Sequence, residues 1–330
     1  MMNLITDVAG VAVGNAHDPV VASGVTAIIF DEPAAASVAI HGGGPAVRDT
    51  GLLSPEATVE GIDAVVLAGG SAFGLDAAGG VMAQLAGIGR GFQVGTVRVP
   101  IVPGASVFDL AVGGAGWGAA PPWWDLGLQA AANAARTFSL GSVGGGYGAT
   151  TANLKGGLGS ASAITAGGFT VGALVVVNAV GTVTIGNTPH FWAAADEINA
   201  EFGGLGSPAH VTAGALSPAI KGDASSRANT TIALIATDAV MTKAQLKHSA
   251  VMAHDGMARA IRPSHAPLDG DLVFAVATGR AERTTDVRER ADIGHLAAHC
   301  LARAIARAVY EATALPFPGA LSAYRERFGR

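Results

Sequence analysis

Asn229-Thr230-Thr231-Ile232-Ala233-Leu234-Ile235-Ala236 sets a small polar residue and a threonine at the mouth of an apolar, partly β-branched segment, directly after the Gly/Ser/Lys-rich stretch 221–228. The run reads as a strand, 230–236, that enters a core. A hydroxyl at the start of a buried strand is what a chain needs in order to cut its own backbone there. The freed threonine would then carry its own base, because an α-amino group titrates near about 7.7–8.0 and is partly neutral at working pH. From these residues alone, the commoner explanation of Asn-Thr-Thr is a strand start with Asn in the turn.

Working outward, 242–261 reads as an amphipathic helix with Leu246, Ala250, Ala253, Met257 and Ile261 on one face. A strand follows at 271–277, then a long helix at 291–315 with Ile293, Ala297, Leu301, Ile305 and Val309 four residues apart. Upstream, 169–178 is a continuous apolar run of the kind a strand buried on both faces shows, and 183–185 is its expected hairpin partner across Gly181. Residues 25–30 and 37–40 read as short strands separated by Asp31-Glu32-Pro33, and 63–67 as a strand running into Gly69-Gly70-Ser71-Ala72-Phe73-Gly74 and a helix to about residue 85. Residues 128–136 look helical, 141–159 are dense in glycine, and 191–198 could hold one helix. Strands and helices mix without strict βαβ alternation, which favours an α+β layered fold.

The 330 residues are half apolar and only 14% charged, with glycine and alanine dominant, which implies a large core packed by small side chains. A net charge of −5 leaves no basic footprint for nucleic acid. Gly, Ser, Asp or Pro interrupts every apolar stretch before bilayer-spanning length, so no membrane segment is expected. The N-terminus lacks the basic and apolar regions of a signal peptide, making a cytoplasmic location the default. Cys300 is the sole cysteine, which rules out an internal disulfide and a cysteine-based zinc site.

Four blocks occur in one order: Leu67-Ala68-Gly69-Gly70-Ser71-Ala72-Phe73-Gly74-Leu75-Asp76-Ala77, Val99-Pro100-Ile101-Val102-Pro103, Asn229-Thr230-Thr231, and the segment from Ala253-His254-Asp255-Gly256 through His265 to Leu268-Asp269-Gly270-Asp271. Together they closely resemble the L-aminopeptidase/D-esterase (DmpA-like) self-processing peptidases, a family that includes β-peptidyl aminopeptidases and nylon-oligomer (6-aminohexanoate) hydrolases. The resemblance implies a four-layer αββα sandwich of the DmpA/ornithine-acetyltransferase type. It implies one domain, 1–330, cut into an α chain 1–229 and a β chain 230–330, with the scissile bond between Asn229 and Thr230 and Thr230 as nucleophile. It also implies that Asp269 and Asp271 orient the hydroxyl and amine, that the Asn178 amide helps hold the oxyanion, and that Lys155 lies in the site. Gly70 and Ser71 would line the substrate cleft. A family tyrosine falls in the block Ala105-Ser106-Val107-Phe108-Asp109-Leu110, where this chain has Phe108, so that hydroxyl is missing or supplied elsewhere. The implied activity is hydrolysis of short peptides, amino-acid amides or esters by a homo-oligomer of αβ units, with no cofactor. An acyltransferase similar to ornithine acetyltransferase, a nylon-oligomer-like endo-amidase and a non-catalytic Gly-rich ligand-binding protein are the alternatives.

Other signals are set aside. The Gly69–Gly74 loop lacks the Lys-Ser/Thr of a phosphate loop, and Ser71 is not in a G-x-S-x-G elbow. His41-Gly42-Gly43-Gly44 reads as a tight turn. His248, His254 and His265, at H-x₅-H and H-x₁₀-H spacing, match no zinc signature, so no metal is expected. Trp123-Trp124 reads as a cleft rim or an oligomer contact.

Overall fold

The computed structural model describes residues 1–113, 116–217, 219–221 and 229–329, so of the 221–228 stretch only Lys221 is described. Its strands are β1 (Val11–Asp18), β2 (Ser23–Ile40), β3 (Ala46–Arg48), β4 (Ile62–Ala68), β5 (Phe92–Val94), β6 (Val97–Val99), β7 (Gly104–Ser106), β8 (Gly157–Ile164), β9 (Thr170–Asn178), β10 (Thr230–Thr237) and β11 (Leu272–Ala277). The α-helices are α1 (Ala77–Gly87), α2 (Trp123–Ala132), α3 (Ala213–Leu216), α4 (Lys243–Ala260), α5 (Val287–Tyr310) and α6 (Tyr324–Phe328). Hydrogen bonding links the strands in the order β3-β7-β4-β2-β11-β10-β9-β8, with β1 also against β2, while β5 and β6 form a separate hairpin.

β2 belongs to two sheets. Its first half pairs with β1 and β4, its second half with β11, and the pairing with β4 shifts register between Ile29 and Ala34. The exposed Asp31-Glu32-Pro33 lies at this crossing. The two short strands expected around that tripeptide are therefore one strand, and the polar interruption marks where it changes sheets.

Period-two alternation sorts every central strand between layers. Ile28 and Phe30 of β2, Val65 and Leu67 of β4, Leu174 and Val176 of β9, Ile232 and Leu234 of β10, and Leu272 and Phe274 of β11 meet in one apolar cluster between the sheets. The alternate residues Val25, Ala27, Ala64 and Val66 pack outward against Val81 of α1 and Leu126 of α2. On the other side Val175, Ala233, Ile235, Val273 and Ala275 pack against α4 and α5. This is the four-layer αββα arrangement. Strands buried on both faces lose the polar alternation of a half-exposed strand, which is why β9 and β10 read as unbroken apolar runs.

Thr242 caps α4 in a reciprocal box with Gln245, and Asp286 caps α5 with Glu289. Gly256 of α4 lies where any Cβ would run into the Ala298 carbonyl of α5, so the glycine permits this close helix contact. No helix among the described residues is long and apolar enough to cross a membrane.

Several expectations need correction. Residues 183–185 form no hairpin with β9, whose neighbours are β8 and β10; Thr182 and Thr184 instead make isolated bridges to Arg262 and Phe191. The glycine-dense segment runs into β8 at Gly157, and the N-terminal strand β1 carried no clear signal. α2 starts at Trp123, ahead of the expected 128, and α5 runs from Val287 to Tyr310. The segment expected to be helical at 191–198 is a 3₁₀ turn at Trp192–Asp196.

Candidate active site

The end of β9 meets the start of β10, where Asn178 and Thr230 are direct antiparallel partners. Alternation places Thr230 with Ile232 and Leu234, and Asn178 with Leu174 and Val176, so both side chains face the space between the sheets. β11 runs parallel to β10, and its mouth brings Asp269-Gly270-Asp271 alongside, with Asn229 bridged to Asp269. Three chain segments distant in sequence thus converge at one sheet end.

The Thr230 hydroxyl donates to the carbonyl of Asn229. The same carbonyl accepts the Gly270 N–H at 3.0 Å. The Asn229–Thr230 peptide is therefore polarised by a backbone donor and touched by the neighbouring hydroxyl. Gly270 is required for this approach. A Cβ there would sit 2.8 Å from Thr230 Oγ1 and 2.8 Å from the Gly44 carbonyl.

Asn178 is held on both ends of its amide. Its Oδ1 accepts from Lys221 Nζ at 2.8 Å and from the Thr150 N–H at 3.1 Å, while Nδ2 donates to the Phe108 carbonyl at 3.0 Å. An amide nitrogen has two hydrogens, so one donor is left without a partner among the described residues. Phe108 enters the site through its carbonyl. Gly70 and Ser71 have positive φ, +85° and +54°. A Cβ on Gly70 would enter the ring of buried Trp123, which settles that tryptophan as packing under the loop, while Trp124 is exposed. The Gly70 N–H donates to Asp109 Oδ1 at 2.8 Å.

The two aspartates play different parts. Asp271 falls on the helix-facing side, where Oδ1 accepts the Thr231 N–H at 2.7 Å and Oδ2 accepts both the N–H and Nδ1 of His265, at 2.8 and 2.9 Å. It anchors the strand mouth from behind. Asp269 accepts the Ala266 N–H at 3.2 Å; burial, then the charge of Asp271, pushes its carboxyl up to about 7.

Lys155 is fully buried, and its ammonium donates to the carbonyls of Gly146, Ala149 and Gly156 at 2.7–3.1 Å. It ties the glycine-rich loop and is no solvated surface charge. Burial pulls it down to about 7, opposed by Asp109, whose own buried carboxyl is pushed up to about 6. Sequence reading assigned no role to Lys221 or Asp109. Lys221, drawn down to about 8 chiefly by burial, grips Asn178. Its signal was only a cation at the start of a Gly/Ser-rich stretch, whereas Asp109 directly follows the flagged Phe108.

Comparison with known proteins gives the family. Residues 3–320 match Peptidase family S58. An uncharacterized aminopeptidase of Mycobacterium bovis is 42% identical, the match covering 99% of this chain and 98% of that protein. A 6-aminohexanoate-oligomer endohydrolase of Agromyces sp. is 29% identical, with 84% of this chain and 76% of that one covered. Among solved structures, a Burkholderia sp. beta-aminopeptidase superposes with a TM-score of 0.72 at 22% identity, covering 99% of this chain and 92% of the other. The L-aminopeptidase D-Ala-esterase/amidase of Ochrobactrum anthropi, described as a variant of the Ntn hydrolase fold, gives 0.69 at 22% identity over the same shares. The chain belongs to peptidase family S58 and is a hydrolase with the N-terminal-nucleophile type of fold.

Proposed function

We propose that the chain cuts itself between Asn229 and Thr230 and that Thr230 then serves as the N-terminal nucleophile of an aminopeptidase, amidase or esterase acting on short peptides, amino-acid amides or esters. The observation that carries this reading is the Asn229 carbonyl, touched by the Thr230 hydroxyl and held by the Gly270 N–H. In processing, Thr230 Oγ1 adds to the Asn229 carbonyl carbon, the C–N bond breaks, and the acyl group moves from nitrogen to oxygen. Water then hydrolyses the ester, leaving chains 1–229 and 230–330 folded together as one domain. In turnover the freed amine accepts the hydroxyl proton, the Thr230 oxygen attacks the substrate carbonyl, and the unused Asn178 N–H stabilises the oxyanion. Water releases the acid from the acyl-enzyme. Asp271 keeps the strand mouth in register, and Lys155 and Lys221 hold the loop and amide around it. The enzyme is proposed to act in the cytoplasm as a homo-oligomer of αβ units.

The test is a panel of L-, D- and β-amino-acid amides, esters and dipeptides, each with a free and an acetylated amine, assayed on processed protein with and without amine acceptors. Hydrolysis restricted to free-amine substrates supports an aminopeptidase. Cleavage of the acetylated set points to an endo-amidase, and dominant transfer to amines points to an acyltransferase.

Two processing experiments follow from the geometry. Gly270→Ala should slow self-cleavage at least about 100-fold, because a small displacement of a reacting group costs rates of that order; the fraction cut over time on a denaturing gel measures it. The second concerns Asp269. The uncut precursor has no free amine at Thr230, and Asp269, adjoining the glycine that abuts the hydroxyl, is the carboxyl whose value of about 7 suits a base. The deprotonated form does the work, so processing should accelerate as pH rises from 6 to 8 and level off above. In Asp269→Asn that inflection should vanish and the rate fall on the order of 10²-fold. An unaltered profile in this variant would remove Asp269 from the role.

A further inference from the structure

We propose that His41, His254 and His265 form a site for one divalent transition-metal ion of the zinc type, on the helix-facing side of the sheet over β2 and the mouth of β11, next to the strand that carries Thr230. The three residues each offer a ligand atom, and these atoms all lie within 4.8 Å of one another. They come from the end of β2, the middle of α4 and the loop before β11, so no local sequence spacing could reveal them.

The hydrogen bonds set the tautomers. His254 Nε2 lies 3.0 Å from the Ala39 carbonyl, which can only accept, so Nε2 carries the hydrogen and Nδ1 keeps a lone pair. His265 Nδ1 lies 2.9 Å from the Asp271 carboxylate, which leaves the lone pair on Nε2. A histidine ligand needs this arrangement: one nitrogen oriented by a carbonyl or carboxylate, the other free for the ion. Both free nitrogens, His254 Nδ1 and His265 Nε2, are buried without a hydrogen-bond partner among the described residues. His254 as a residue is only 3% exposed. Two buried acceptors without a donor are costly, and a cation bound by both would satisfy them.

The rings are close to a shared-ion geometry. Two imidazoles bound to one zinc at 2.0–2.1 Å have ring centres about 5 Å apart. His254 and His265 stand at 4.7 Å, nearly perpendicular. His41 is exposed and stacks on His254 at 3.8 Å, so it is the member that swings off the stack to complete the set. A three-histidine donor set with a water in the fourth position suits zinc, cobalt, nickel or copper. Asp271 links this cluster to β10: its carboxylate holds His265 and the Thr231 N–H, and its carbonyl accepts the His41 and Gly42 N–H groups at 3.0 Å. The ion would brace the strand mouth, and no step of the acyl chemistry passes through it.

The test uses the full chain without an affinity tag, stripped with a chelator and titrated with Zn²⁺ and, separately, Co²⁺. The expected result is one ion per chain, visible cobalt absorption of a four-coordinate site, and a higher melting temperature with zinc. His41→Ala, at an exposed position that should spare the fold, should weaken zinc binding on the order of 100-fold or more. His265→Asn suits the left-handed backbone there, φ +57°, and should do the same. His248→Ala, beside Met252 and Arg290 on another face of α4, should bind as the parent does. Absence of stoichiometric uptake, or uptake unchanged in both His41→Ala and His265→Asn, overturns the proposal.

Discussion

Thr230→Ala should yield a single uncut chain with hydrolase activity reduced on the order of 10⁶-fold, the scale at which an enzyme loses its covalent nucleophile. The substitution removes both reacting groups in one step. Without the hydroxyl no acyl shift occurs, and without the cut no terminal amine exists to act as base. The neighbouring Thr231→Ala is the control. Thr231 points to the opposite side of β10, its hydroxyl has no hydrogen-bond partner among the described residues, and its link to Asp271 runs through the backbone N–H, which alanine retains. It should process and turn over within a few-fold of the parent. Thr230→Ser keeps the hydroxyl and should also process. If Thr230→Ala hydrolyses substrates at a rate near the parent's, the assignment fails.

Asn178→Ala should lower kcat about 10²–10³-fold, the loss expected for one oxyanion donor and worth about 2.7–4 kcal/mol. KM should change much less, since the donor meets charge that develops only in the transition state. Alanine also frees Lys221 and the Thr150 N–H, so a structural effect must be separated from a catalytic one. Asn178→Asp does this. Its carboxylate still accepts from Lys221 and Thr150, yet it offers no N–H to the oxyanion or to the Phe108 carbonyl. A kcat for Asn178→Asp close to the parent would show that the amide only positions its neighbours.

The legibility of this fold depended on side chains. β9, β10 and β11 declared themselves because branched apolar residues fill both faces, and α4 and α5 because their apolar stripes repeat every turn. β8 did not, since Gly157-Leu158-Gly159-Ser160-Ala161-Ser162 gives a two-residue period almost nothing to act on. Those same small residues let α5 lie against the strand, as Gly159 beneath the Ala304 carbonyl shows. β2 was read as two strands because a Pro and two acids interrupt it, and only three-dimensional pairing reveals a sheet-to-sheet crossing. At the candidate site, Thr230, Asp269 and Asp271 could be named from motif blocks, and Asn178 only from the family resemblance. The division of labour between the two aspartates could not, because it depends on which remote groups each carboxylate meets in the folded chain. Phe108 was noted for its ring, while the contact is made by its carbonyl. Lys221 and the histidine cluster lay beyond sequence reasoning for one reason: each acts through neighbours remote in the chain.

The central claim is a broken backbone, and the intact mass of purified wild-type protein under denaturing conditions tests it most directly. The account predicts two polypeptides corresponding to residues 1–229 and 230–330, the second beginning Thr-Thr-Ile-Ala-Leu, with activity rising in step with their appearance. A fully active preparation consisting of one continuous 330-residue chain would contradict it.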